Sequence, residues 1–309
     1  MWVYIVRRLL FLPVMLMAVS LITFSLGHYG PGDPVRVMMG NKYNEEAAER
    51  IRDELGLNRH FFVQYADYMY GFFQGDFGES LRFIGQPVRD LIVPKMWVSA
   101  QLSIAAMIIS LSIGLPLGFF IAHKQGSWQD PTTVTISIVL ASIPIMVTVP
   151  ALLWVGCLKT DLIPCSGWGG FFDPRIVVPA ITMGIPGVAG LMRLMRASTL
   201  DVMGQDFIRT AHAKGLGTAR VDVGHVLRNA MIPIITILAF SLAGLIEGSF
   251  IMETIMGIPG VGRFAVESIF NRDYPIIMAI TLIGAMAFVM ANLLADIAYA
   301  YVDPRIRYS

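Results

Sequence analysis

Residues 96–123 read MWVSAQLSIAAMIISLSIGLPLGFFIAH, with no Asp, Glu, Lys or Arg among them. A helix needs roughly 20 apolar residues to cross about 30 Å of hydrocarbon, because each residue rises only about 1.5 Å. This stretch is long enough to span a bilayer. Working outward from it, charge-free stretches also run 9–32, 131–158, 176–192, 229–246 and 274–295, and no other window of this length exists. The pattern predicts an all-α integral membrane protein with six transmembrane helices.

Composition agrees. Of 309 residues, 55% are hydrophobic and 15% charged, whereas soluble domains carry about 25% charged residues. A chain of this size folded in water would need more polar groups to cover its surface. An ordinary soluble enzyme, a disordered chain and a disulfide scaffold are all excluded. Net charge is +1 and no basic tract interleaves with aromatics, so the expected partner is the lipid bilayer and not nucleic acid.

The spans differ in character. Arg7 and Arg8 precede the first apolar run, as in a signal peptide. The run is longer than a usual signal core, and Ser25-Leu26-Gly27-His28 makes a poor cleavage site. Residues 1–29 are therefore read as an N-terminal segment holding a retained first span. The third span contains Pro144 and Pro150 and is expected to be broken. The fourth carries Pro179, Gly184, Pro186, Gly187 and Gly190. It should be bent, packed against other helices, and extended to Arg193 and Arg196, whose stems snorkel to the interface. Interrupted helices favour a path over a mere anchor.

Orientation follows from basic residues in short loops. With a cytoplasmic N-terminus, the inner set is Arg7, Arg8, Lys124, Arg193, Arg196, Arg209, Lys214, Arg220, Arg228, Arg305 and Arg307. The outer set is only Lys159, Arg175, Arg263 and Arg272. Both termini are thus expected inside, with 30–95 an extracytoplasmic helical loop and 96–309 a five-helix core. In the outer loop Asn44 can cap a helix over Glu45–Leu55, with Gly56 as its stop. Phe61, Tyr65, Tyr68, Met69 and Phe72 then recur at helical spacing and predict contact with the membrane bundle. Cys157 and Cys165 are either unrelated thiols or a loop disulfide, the latter requiring an oxidising compartment.

The inner loop, 197–230, reads as a helix from Met203 to Lys214, a break at Gly215-Leu216-Gly217, and a second helix from Thr218 to Leu227. Catalytic constellations are missing. There is no His-Glu-x-x-His, no Cys/His cluster and no Gly-x-Ser-x-Gly. Lys214-Gly215-Leu216-Gly217-Thr218 has the wrong order for a phosphate-binding loop. The chain reads as a non-enzyme without a cofactor of its own, and any ATPase must be another polypeptide. Glu247 and Asp296 fall near the ends of spans, where a carboxylate marks a site or proton relay, or else reaches the headgroups.

At the inner loop the residues become specific. Phe207-Ile208-Arg209-Thr210-Ala211-His212-Ala213-Lys214-Gly215-Leu216, followed by Leu227-Arg228-Asn229-Ala230-Met231-Ile232-Pro233, resembles the cytoplasmic signature of binding-protein-dependent ABC transporter permeases. More narrowly it resembles the oligopeptide/dipeptide permease family. Gly30-Pro31-Gly32-Asp33-Pro34, Glu253 to Gly262, Asn271-Arg272-Asp273-Tyr274 and Asp303 to Tyr308 agree, in order along the whole chain.

The resemblance implies a permease-type bundle in a bacterial or archaeal cytoplasmic membrane, serving an ATP-driven importer. Its expected partners are a second homologous permease, two ABC ATPase subunits carrying ATP and Mg, and an extracytoplasmic solute-binding protein. Residues Phe207 to Leu216 would form the coupling helix. In it Gly215 permits the turn, and small Ala211 and Ala213 allow close approach to the ATPase. Glu247, Glu253 and Asp296 are candidates for the translocation path.

The chain departs from the wider pattern at Arg209-Thr210-Ala211, where Glu-Ala-Ala is usual, and at His212, where a basic residue is usual. Glu247 is unusual for the family and hints at cationic solutes or a local polar contact. Family members move di- and oligopeptides, nickel chelates, glutathione or oligosaccharides. The competing reading is a proton-coupled carrier working alone through Asp296 or Glu247. The hydropathy shows no inverted repeat to support it.

Overall fold

The computed structural model describes residues 2–29, 34–39, 43–54 and 56–302. Gly30-Pro31-Gly32-Asp33 and Asp303 to Tyr308 lie outside the described residues. Among the described ones there is no strand, only an isolated bridge between Glu79 and Pro87. The helices are α1 (Trp2–Tyr29), α2 (Pro34–Met39), α3 (Glu45–Glu54), α4 (Phe61–Gln74), α5 (Val88–Ala122), α6 (Gln129–Ser142), α7 (Ile145–Leu152) and α8 (Val177–Met203). They continue as α9 (Asp206–Ala213), α10 (Thr218–Val221), α11 (Arg228–Ala230), α12 (Ile232–Glu247), α13 (Phe250–Met256), α14 (Val261–Phe270) and α15 (Tyr274–Val302).

Among the described residues, three helices are long and apolar enough to cross a membrane: α5, α8 with the turn before it, and α15. Two bent pairs bring the number of candidate spans to 5. The first pair is α6 with α7, which turn by 88°. The cause is local. Ile143 stands before Pro144 and is forced out of the helical region to ψ 119, so the anticipated break falls at Pro144. Pro150 is accommodated inside α7, and the turns widen over Leu153–Lys159. The second pair joins the α10–α11 segment to α12 at 46°, with Pro233 in the first turn of α12, where its missing N–H is harmless.

The helix α5 starts at Val88, inside the segment read from sequence as outer loop. Charged Arg89, Asp90 and Lys95 hide its first turns from a search for charge-free windows. Together α5 and α8 form the spine of the molecule. A methyl group on Gly114 would sit 3.0 Å from the Val188 carbonyl, and one on Gly184 3.1 Å from that of Ala106. Gly118 faces the Met192 carbonyl closer still. Small residues let the two backbones meet, which stabilises helix pairs in lipid, where apolar side chains gain little from leaving it. Ser110 adds a bond across this seam, its Oγ donating to Gly184 O at 3.0 Å.

The helix α8 passes Arg193 and Arg196 as expected, and it is one helix despite Pro186. Arg196 is held by a partner. Its Nε and Nη2 each meet an Asp130 carboxylate oxygen at 2.6 Å. Asp130 is buried in the first turn of α6, so this bidentate pair fastens α6 to α8.

In the segment before α5, Asn44 caps α3, its Oδ1 accepting from Glu46 N at 3.1 Å. The stripe on α4 packs on α1, with Phe61, Tyr65 and Tyr68 around Phe24 at 5.4, 5.6 and 5.7 Å between ring centres. Asp273, also buried, accepts from Ser80 Oγ at 2.5 Å and from Leu81 N at 3.2 Å, pinning the loop after α4 to the start of α15. Cys157 and Cys165 are joined in a disulfide with Cα atoms 5.2 Å apart.

Candidate coupling surface and path

The segment singled out in the inner loop is a short helix held at both ends. The chain leaves α8 at Met203, turns through Gly204 and an extended Gln205, and enters α9 at Asp206. The helix expected over Met203 to Lys214 is α9, which begins only at Asp206, after the corner that separates it from α8. At the far end Gly215 adopts φ +81, the left-handed conformation that glycine takes without penalty. Gly215 N donates to His212 O at 2.9 Å and Leu216 N to Ala211 O at 3.3 Å. Those two bonds satisfy the last carbonyls of α9 and stop it sharply. A new helix, α10, begins at once at Thr218.

One face of α9 belongs to the protein's own core. Ile208 and Ala211 are buried against Val221 and Val226, with Phe119, Val202, Met203 and Leu216 around them. Ala211, anticipated as a partner contact, packs inward. Ala213 does face outward, along with Phe207, Arg209, Thr210, His212, Lys214 and Gly215. Arg209 is only loosely held, 3.6 Å from an exposed Asp206. A shallow, uncommitted surface with two cations and a small residue at its centre can dock in a groove.

The core beneath α9 connects it to the spans. Phe119 lies in the last turns of α5, and His123 Nε2 approaches Asp222 Oδ1 at 3.3 Å just beyond α10. Leu191 and Met195 of α8 pack with Ala230 and Ile234. A push on α9 therefore reaches α5, α8 and α12 through packed side chains.

Above it, α5, α8 and α12 line a groove of about 380 Å³. Its walls include Ser103, Met107, Met183, Gly187, Gly190, Ser241 and Gly244, with no charged side chain among the described residues. An added methyl at Gly190 or Gly244 would meet nothing within 4 Å. Such a lining offers hydroxyls, thioethers and bare backbone, suited to a solute that must not be held tightly.

Glu253, the candidate acid whose side chain is described, does not line this groove. Glu247 ends α12 and Asp296 lies in α15, but their side chains fall outside the described residues. Glu253 is completely buried. Its Oε1 accepts from Ser99 Oγ at 2.7 Å and Ser249 N at 3.1 Å, and its Oε2 from Arg263 N at 2.7 Å. Ser99 Oγ accepts in turn from Val261 N at 2.8 Å. Gly248, Gly260 and Gly262 crowd the carboxylate so closely that any side chain there would strike it. Glu253 is tied to α5, the Ser249 turn and the first turn of α14, at an end favourable to negative charge.

Sequence reasoning missed the roles of Asp130 and Asp273. Each borders an apolar window, so a count of charges within windows passes over it. A signal existed for Asp130, since it and Arg196 flank two spans on the same expected side of the membrane. Among the described residues no group of His, Cys, Asp and Glu is arranged to hold a metal ion.

The family described as binding-protein-dependent transport system inner membrane component matches residues 114–308. Its N-terminal companion matches residues 1–87. A probable peptide ABC transporter permease of Sinorhizobium fredii is 35% identical, with 100% of both chains covered. A dipeptide transport system permease of Alkalihalophilus pseudofirmus is 34% identical, again over 100% of both. An oligopeptide transport system permease of Bacillus subtilis is 37% identical over 99% of each.

Proposed function

The chain belongs to the binding-protein-dependent transport system inner membrane components and is a permease subunit of an ABC transporter; on that premise we propose that it imports peptides. Its likeness along its whole length to permeases named for peptides, dipeptides and oligopeptides carries this reading. The groove between α5, α8 and α12, uncharged among its described residues, is in keeping with it, since peptides of mixed sequence share only their backbone.

In this reading the protein spans the cytoplasmic membrane six times, through α1, α5, α6–α7, α8, α12 and α15, with both termini inside. The disulfide supports the topology, because Cys165 then lies on the oxidising, extracytoplasmic side. A second permease completes the path and a solute-binding protein delivers peptide from outside. Two ATPase subunits bind ATP and Mg and receive α9. Phe207, Arg209, Thr210, His212, Ala213, Lys214 and Gly215 form the docking face, while Ile208, Ala211 and Leu216 transmit its movement inward. ATP favours one arrangement only through its different affinity for the two, and the short core under α9 converts that preference into a shift of the spans.

The test is purification of the tagged chain from native membranes in mild detergent, with copurifying chains identified by mass spectrometry. An ATPase pair and a second permease are expected, and the accompanying receptor's bound solute should be a peptide. Recovery of the chain alone would refute the coupled importer. A receptor loaded with an oligosaccharide or metal chelate would refute the peptide assignment and leave the importer standing.

A further inference from the structure

The helix α4 carries two aromatic faces, of which only one is satisfied within the protein. At about 100° per residue, Phe61, Tyr65, Tyr68 and Phe72 share the face against α1, while Phe62, Ala66, Tyr70 and Phe73 share the next. This second face is bare, with Phe62 64%, Tyr70 71% and Phe73 70% exposed. The third side is polar. There Asp67 pairs with Arg59 at 2.9 Å, and Gln64 Nε2 donates to the carbonyls of Leu57 and Arg59.

Contacts with α1 fix the level at which α4 lies. The hydroxyls of Tyr65 and Ser20 are 2.7 Å apart, and Tyr65 also approaches the Met17 carbonyl at 3.4 Å. From Met17 to the outer end of α1 at Tyr29 the helix rises roughly 18 Å. Tyr65 therefore reaches well down an apolar helix on which Ile22 and Leu26 are 62% and 67% exposed. A helix standing in water above the membrane would not touch α1 at this depth. The bare aromatic face of α4 thus belongs to a helix packed directly on α1, which carries exposed apolar side chains of its own.

We propose that α4 is a membrane-embedded interfacial helix whose Phe62, Tyr70 and Phe73 insert among the acyl chains and glycerol groups of the outer leaflet. Aromatic rings favour that level, and a helix with one apolar and one polar side lies flat in it. The segment 30–95 is then only in part an aqueous loop, and α4 braces α1 from the lipid side. The proposal rests on α1 crossing the bilayer, and not on the transported solute.

The test uses the whole transporter reconstituted in phosphatidylethanolamine/phosphatidylglycerol vesicles. Nitroxide labels are placed by Phe73→Cys, by Asp67→Cys on the polar side, and by Ile22→Cys on α1, with the native cysteines held in their disulfide. Collision with oxygen should exceed collision with an aqueous nickel chelate several-fold at 73 and at 22, with the reverse at 67. Nickel-dominated quenching at 73, with 22 still oxygen-dominated, would overturn the proposal in favour of a water-exposed face. Shielding of 73 from both agents would overturn it in favour of a protein partner. Nickel-dominated quenching at 22 would remove α1 from the bilayer, and the proposal with it.

Discussion

Glu253 is a buried carboxylate facing hydrogen-bond donors, with no ion pair to a cation among the described residues. The guanidinium of Arg263 is turned away to Glu267, at 2.6 Å, and only its backbone N–H meets Glu253. The Glu253→Gln variant keeps the shape but turns an N–H2 group toward one of the donors. It should lose about 1–3 kcal/mol, the usual penalty for a buried polar group left unpaired. A lower unfolding temperature of the purified complex would register this. An unchanged temperature would mean that the carboxylate is not what holds α5 and α14 together. The Asp130–Arg196 pair works differently, since both partners are ionic and Asp130 is the deeper, with 9% of its side chain exposed against 26% for Arg196. Truncating Arg196 to Ala strands a buried charge, so the loss should approach about 3–5 kcal/mol. Asp130→Ala should cost less, because Arg196 can then turn to water. In a double-mutant cycle the combined variant should lose clearly less than the sum of the two, and additive losses would argue that the pair contributes nothing.

At the scale of the element, α9 was legible because its stop signal is chemical. Gly215 supplies the left-handed residue that ends a helix, and no methyl at that site would meet an atom within 4 Å. Gly215→Val therefore brings conformational strain without a clash, of order 1–3 kcal/mol at a single residue. Peptide uptake should fall several-fold while expression and copurification hold, and Gly215→Asn, which tolerates φ > 0, should retain more. Normal uptake in the Val variant would show that the geometry of the α9 end does not matter for coupling. The corner at Gly204-Gln205 was not legible, because Gly204 keeps a helical φ of −73 and only Gln205 is extended, a choice made by the packing of Ile208 and Ala211. Similarly Pro144 announces a break but not an 88° turn. The angle depends on what α6 and α7 each pack against. Asn44 and the stripe on α4 were readable since both are local patterns with a single physical cause.

For the whole molecule, hydropathy identified the apolar elements, yet it could not supply the contacts between them. Gly114, Gly118, Gly184 and Gly187 look like helix breakers in the sequence and are instead where α5 and α8 touch. Asp130, Glu253 and Asp273 lie 66, 154 and about 193 positions from their partners Arg196, Ser99 and Ser80, distances at which one sequence carries no pairing signal. Sidedness is the global property that the basic residues and the disulfide both address, by unrelated chemistry. Positive loops are retained by the cytoplasm, whereas thiols are oxidised outside it. If both readings are right, a membrane-impermeant maleimide added to intact cells should label Cys157 or Cys165 only after reduction by an equally impermeant phosphine. A cysteine introduced by Lys214→Cys, at the exposed end of α9, should stay unlabelled until the membrane is opened. Labelling of position 214 from outside would invert the topology and remove α9 from any cytoplasmic ATPase. Labelling of Cys165 without reduction would instead break the link between the disulfide and the outer compartment, leaving the charge asymmetry to stand alone.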